Sequence, residues 1–135
     1  MNVLFADTSF YVAVFNPHDA LHARAKAVAA AHLGSVITTE FILIEVGNFF
    51  CRGNARKVFQ MMTEHLMAAE DIEVVPASTA LFRDGLSFFN ARPDKDWSLT
   101  DCISFVVMEE EDITEALTAD HHFEQAGFIA LLLQQ

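Results

Sequence analysis

Val3-Leu4-Phe5-Ala6-Asp7-Thr8-Ser9 decides how the rest of the chain is read: a short apolar run closed abruptly by a carboxylate and two hydroxyls. Asn2–Ala6 has the length of a buried strand, and Asp-Thr-Ser is a combination that stops a strand or caps a helix. Downstream, Phe10–Phe15 reads as a buried helical turn broken by Asn16-Pro17. His18–Leu33 is rich in Ala and other helix formers and ends at Gly34, a usual residue just past a helix. Ser35–Thr38 reads as a second strand. Thr39 can cap a helix to Cys51, with Phe41, Ile42, Ile44, Val46, Phe49 and Phe50 wrapping one broad apolar face.

Gly53-Asn54 then breaks the chain before a helix over about Ala55–Ala69. Ile72–Val75 is a strand stopped by Pro76, and Ser78 caps a helix to about Phe89. Asn90–Trp97 is a polar loop. Ser98 with Asp101 three residues on resembles a capping box, opening a helix to about Glu110. Glu115–Thr118 reads as a strand, Asp120–Gln125 as a helical turn and Phe128–Leu133 as a last strand. Strands separated by helices predict an α/β fold: a single-domain three-layer α/β/α sandwich over residues 1–135, with a mainly parallel central sheet.

Composition narrows the function. At 135 residues and 53% hydrophobic, with 13 Phe, the chain can bury a core and is not disordered. No apolar run approaches the roughly 20 residues of a spanning helix, so no membrane role is expected. The N-terminus lacks the basic segment of a signal peptide, and two cysteines, Cys51 and Cys102, make no disulfide framework, so a reducing cytoplasm is expected. The net charge is −11, and all eight cations (Arg24, Lys26, Arg52, Arg56, Lys57, Arg83, Arg92, Lys95) precede Asp96. Such a surface repels nucleic acid unless something neutralises it locally.

Four of the acids sit where a parallel sheet gathers its ligands, beyond the carboxyl ends of the strands. Asp7 ends the first strand, and Asp120 follows the Glu115–Thr118 strand. Asp101 lies in the first turn of its helix, where the positive dipole end favours an anion. Glu45 is an acid in an apolar helical stretch whose nearest cation, Arg52, is seven residues away. Taken singly, each has an ordinary reading as a strand stop, helix cap, loop acid or exposed edge residue. If they converge, their repulsion calls for a hard divalent cation, and oxygen-only ligands suit Mg²⁺ or Mn²⁺. A cation so held generates a hydroxide nucleophile and stabilises charge on a phosphodiester.

These segments resemble the PIN domain family, and within it the VapC-type toxin ribonucleases. Val3–Ser9 resembles the first motif, Thr38-Thr39-Glu40-Phe41-Ile42-Leu43-Ile44-Glu45-Val46 the second, and Trp97-Ser98-Leu99-Thr100-Asp101-Cys102-Ile103-Ser104-Phe105 the third. Leu117-Thr118-Ala119-Asp120-His121-His122-Phe123, followed by Ala126-Gly127-Phe128, resembles the closing motif, so the likeness runs from about Met1 to Ala130 in family order. The resemblance implies metal-dependent endonucleolytic cleavage of RNA, with Asp7, Glu45, Asp101 and Asp120 as catalytic metal ligands for Mg²⁺ or Mn²⁺. Asp120 occupies the position that varies most in the family. Thr8, Ser9 and Thr118 would hydrogen-bond the carboxylates or the metal's water. A homodimer is implied, as is a small antitoxin whose C-terminal segment covers the site. The sequence departs from the family in having no cation after Lys95, leaving RNA contacts to Arg52, Arg56 and Lys57, or to Arg92 and Lys95.

Other constellations have plainer readings. His18 and His22 share a helix face at zinc-pair spacing without a third ligand, and read as solvated. His121-His122 reads as a loop pair, with phosphate contact as the alternative. Cys102 reads as a buried helix residue. Phe49, Phe50, Phe59, Phe88 and Phe89 read as core or a dimer seam, and Glu109-Glu110-Glu111-Asp112 as a solvated helix end. An aspartyl-nucleophile phosphatase or phosphorelay receiver would need a late Lys, which is missing. The remaining alternative is a catalytically idle PIN-like domain acting as a protein- or RNA-binding module.

Overall fold

The computed structural model describes residues 2–135. Its elements are β1 (Leu4–Ala6), α1 (Thr8–Phe15), α2 (His22–Ala31), β2 (Val36–Thr39), α3 (Glu40–Phe49), α4 (Ala55–Ala68), β3 (Ile72–Val75), α5 (Thr79–Ala91), α6 (Leu99–Glu110), β4 (Glu115–Leu117), α7 (His121–Gln125) and β5 (Ile129–Ala130), then a 3₁₀ turn over Leu131–Leu133. All five strands are parallel, in the order β3-β2-β1-β4-β5.

That order sets the layers. From β1 the chain steps outward to β2 and β3, so the right-handed crossover rule puts α1–α4 on one face; the return to β4 and β5 puts α5–α7 on the other. The direction reverses between β1 and β4, which opens a crevice beyond their carboxyl ends. Leu4, Phe5 and Ala6 are all buried, as are Ala116 and Leu117, so the strands are apolar on both faces. Phe105 on α6 packs edge-on against Phe123 of α7 and Trp97, with ring centroids 4.9 and 5.2 Å away. Eight consecutive α6 residues, Asp101–Met108, are buried. Gly85 is what lets α5 approach this helix: a Cβ there would stand 2.2 Å from Ile103 Cγ1.

The helix expected over His18–Leu33 is shorter, His22–Ala31. Asn16 Oδ1 accepts from the His18 amide at 3.1 Å and Asp19 Oδ1 from the Leu21 amide at 2.8 Å, so local side-chain turns outcompete the helix there. His18 therefore shares no helix face with His22, whose Nδ1 lies 2.8 Å from the Ala13 carbonyl oxygen. Gly34 does not take the left-handed conformation of a helix stop; a Cβ there would meet the Asn2 carbonyl oxygen at 2.2 Å. The last strand shrinks to Ile129–Ala130 because the chain tightens into the 3₁₀ turn. On α3, Ile44 and Phe49 face outward, at 58% and 55% exposure, while Ile42, Leu43 and Val46, and Phe50 just past its end, are buried. Phe89 is also exposed. At the end of α6, Asp112 adopts φ 56° and the Ile113 amide donates to the Met108 carbonyl at 2.8 Å, the left-handed cap that closes a helix.

Candidate active site

The acids arrive at the crevice by four local devices. Asp7 is the residue on which β1 ends and α1 begins; its amide donates to the Leu117 carbonyl at 3.1 Å, tying it to β4. Thr39 caps α3 by accepting from the Ile42 amide at 3.1 Å, which sets the rotation of the helix carrying Glu45. Ser98 and Asp101 form a full capping box: Ser98 Oγ accepts from the Asp101 amide at 3.0 Å, and Asp101 Oδ2 from the Ser98 amide at 3.1 Å. Asp120 caps α7, accepting from the His122 amide at 2.9 Å.

All four carboxylates line one cleft of about 450 Å³, together with Thr8, Ser9, Asp19, Asp96, Ser98 and His122. The hydroxyls stand behind the acids. Thr118 Oγ1 donates to Asp7 Oδ2 at 2.7 Å, and Ser9 Oγ reaches the same oxygen at 3.1 Å. Thr8 Oγ1 donates to Glu45 Oε1 at 2.6 Å. The Ala119 and Asp120 amides donate in turn to Ser9 Oγ and Thr118 Oγ1, both at 3.0 Å, so the hydroxyls are fixed from both sides.

Asp7 and Asp101 are buried, at 5% and 8% exposure. Burial pushes the Asp7 carboxyl up to about 6, the Thr118 hydrogen bond working against it and the Asp101 charge with it. Asp101 is also raised, first by burial and then by the Asp120 charge, with the Ser98 amide and His122 pulling the other way. A pair of buried, mutually repelling carboxylates backed by fixed hydroxyls fits a cation with hard oxygen ligands.

The sequence pointed to neither Asp19 nor Asp96 as cleft residues, and it gave His122 only a loop or phosphate-contact reading. His122 Nδ1 lies 3.2 Å from Asp101 Oδ2 and 3.3 Å from Asp120 Oδ1, bridging two acids from different elements. It belongs to α7 rather than a loop, and its place two residues after Asp120 was the available signal. Asp19 and Asp96 reach the cleft from loops, where spacing carries no directional information. No cation lines the cleft among the described residues. Arg92 forms a two-pronged ion pair with Asp94, both contacts 3.0 Å, and its guanidinium lies 5.1 Å from the Trp97 ring centre. Lys95 Nζ lies 5.9 Å from the same ring. Arg52, Arg56 and Lys57 are exposed ahead of and within the first turn of α4.

An all-parallel sheet with four acids at its topological switch point defines an α/β protein built around an acidic, cation-fitting cleft. The PIN domain family model matches residues 4–129, and the chain belongs to that family. It is 26% identical over 127 residues, 94% of this chain and 96% of the relative, to the 23S rRNA-specific endonuclease VapC20 of Mycobacterium tuberculosis. The crystal structure of that protein, described as a Sarcin-Ricin loop cleaving toxin, superposes with a TM-score of 0.85 at 25% identity, over 93% of this chain and 96% of the other. Two further structures show the fold alone. VapBC2 from Rickettsia felis, bound to a DNA fragment from its promoter, gives a TM-score of 0.66 at 11% identity, covering 95% and 96% of the two chains. FitAcB from Neisseria gonorrhoeae gives 0.63 at 15%, covering 94% of each.

Proposed function

We propose that residues 1–135 form a metal-dependent endoribonuclease, the toxin of a VapBC-type toxin–antitoxin pair, with Asp7, Glu45, Asp101 and Asp120 holding Mg²⁺ or Mn²⁺. The observation that carries this reading is the convergence of those four acids, from three sequence-distant segments and the β4 edge, on one cleft. Bound there, the cation supplies Lewis acidity to a phosphodiester and lowers the pKa of a water for attack. The protein's own part is to hold the carboxylates in place before RNA arrives. Thr118 and Ser9 fix Asp7, Thr8 fixes Glu45, and the capping box fixes Asp101.

RNA enters an acidic cleft, so phosphate contacts come from its margins. Trp97 lies between Asp96 and Ser98, both cleft residues, and carries Arg92 and Lys95 over its ring. That link favours Arg92 and Lys95 over Arg52, Arg56 and Lys57. The similarity to an endonuclease named for 23S rRNA makes ribosomal RNA the first substrate to assay, and the similarity to a protein described as a toxin supports a small antitoxin partner. A homodimer and a cytoplasmic location complete the proposal; no helix among the described residues is long and apolar enough to cross a membrane.

Cleavage of ribosomal RNA by the purified protein with Mn²⁺ or Mg²⁺, abolished by chelator, is the test. Asp7→Asn and Asp101→Asn are each expected to lose at least about 10²-fold in rate. Full activity in excess chelator overturns the metal reading. RNA binding without cleavage under any divalent metal makes the protein a binding module instead.

A further inference from the structure

At the rim of the cleft the donor chemistry changes. Asp120, His121 and His122 each place a ligand-capable atom within 4.8 Å of the others. His122 Nδ1 is 3.3 Å from Asp120 Oδ1, and His121 Nδ1 is 3.8 Å from the same oxygen. Asp101 Oδ2, 3.2 Å from His122 Nδ1, stands beside the group as a fourth donor. We propose that Asp101, Asp120, His121 and His122 form a Zn²⁺ site on the cleft rim, sharing two acids with the four-carboxylate set but differing from it in donor type.

Donor type selects Zn²⁺ over Mg²⁺. Imidazole nitrogen is a poor ligand for Mg²⁺ and a good one for Zn²⁺. His121 Nδ1, 3.8 Å from Asp120 Oδ1, must move inward to share an ion with the others, and its side chain, 67% exposed at the surface, has room to do so. Because Asp101 and Asp120 would be drawn into this site, bound Zn²⁺ withdraws two carboxylates from the Mg²⁺ set. Zinc then acts as an inhibitor of RNA cleavage, a consequence that rests on the proposed nuclease reading, whereas zinc binding itself does not.

Calorimetric titration with Zn²⁺ in millimolar Mg²⁺, with Co²⁺ as a spectroscopic probe, tests the site without RNA. One Zn²⁺ per chain is expected, with the intense visible bands of tetrahedral Co²⁺. His121→Ala and His122→Gln should each weaken Zn²⁺ binding by roughly 10–100-fold and bleach the Co²⁺ bands, while Asp7→Asn keeps both. Equal Zn²⁺ affinity in wild type and His121→Ala, or the weak spectrum of octahedral Co²⁺, overturns the proposal. So does loss of Zn²⁺ binding in Asp7→Asn, which would place the ion among the carboxylates. His121 lies at the surface, so its variant remains decisive should His122→Gln fold poorly. In cleavage assays with Mg²⁺, added Zn²⁺ should inhibit wild type and spare His121→Ala. Absence of cleavage with every metal would refute the nuclease reading and leave the zinc titration to be judged alone.

Discussion

Asp7→Asn should stabilise the metal-free protein, and by an amount that depends on pH. Burial holds the native Asp7 carboxyl at about 6, against 3.8 for the ordinary group. Between those values the native state binds a proton that the unfolded chain has released. Stability from Asp7 is therefore full below pH 3.8 and falls as pH rises through 6. A difference of about 2 pKa units corresponds to about 3 kcal/mol lost by pH 8. Asparagine keeps an oxygen to accept from Thr118 and Ser9 but carries no charge, so it avoids most of that loss. Urea unfolding in chelator at pH 4, 6 and 8 should show the two proteins matched within about 1 kcal/mol at pH 4 and the variant ahead by about 2–3 kcal/mol at pH 8. Mn²⁺ at about 100 times its dissociation constant should stabilise wild type alone, by roughly 2.7 kcal/mol, and so cancel the variant's lead at pH 8. A stability difference that stays flat from pH 4 to 8 would refute the argument that burial destabilises the Asp7 charge.

Thr118→Val removes the 2.7 Å hydrogen bond that favours ionised Asp7; the Asp7 pKa, followed by NMR, should rise further and Mn²⁺ affinity fall, and an unmoved pKa would show the hydroxyl to be incidental. Gly85→Ala places a Cβ 2.2 Å from Ile103 Cγ1; thermal unfolding should show a loss of about 1–3 kcal/mol as α5 and α6 separate, and a neutral result would mean the helices have slack. Reversing Arg92 and Lys95 to Glu should lower RNA affinity and flatten its salt dependence more than reversing Arg52, Arg56 and Lys57, as measured by RNA titration at two or more salt concentrations. The opposite ranking would move the RNA track to the start of α4.

Legibility in the sequence followed how local each cause was. Ser98 and Asp101, Thr39 and Ile42, and Ser78 and Leu81 act over three residues, so those helix starts could be read directly from residue type. The turns before α2 were less visible because Asn16 and Asp19 offer the same side-chain oxygens to a turn as to a helix. On α3, residue type promised a wide apolar face, but only the packing partners decided that Ile44 and Phe49 stay outside.

By itself, the sequence determined the α/β class and the element order and nominated the four candidate acids, because periodicity, capping and strand stops are short-range physics, and because motifs in family order add up. It could not determine convergence. Thr118 is 111 residues from Asp7, and Thr8 is 37 from Glu45, yet each pair shares a hydrogen bond under 2.8 Å. Those contacts exist because parallel β1 and β4 lie side by side and Thr39 sets the angle of α3. The bridging of Asp101 and Asp120 by His122, the cleft positions of Asp19 and Asp96, and the placement of Arg92 and Lys95 over Trp97 were likewise tertiary decisions. Their physical reason is the same in each case: side-chain chemistry names the partners a residue can take, and only the packing of layers sets which of them come within reach.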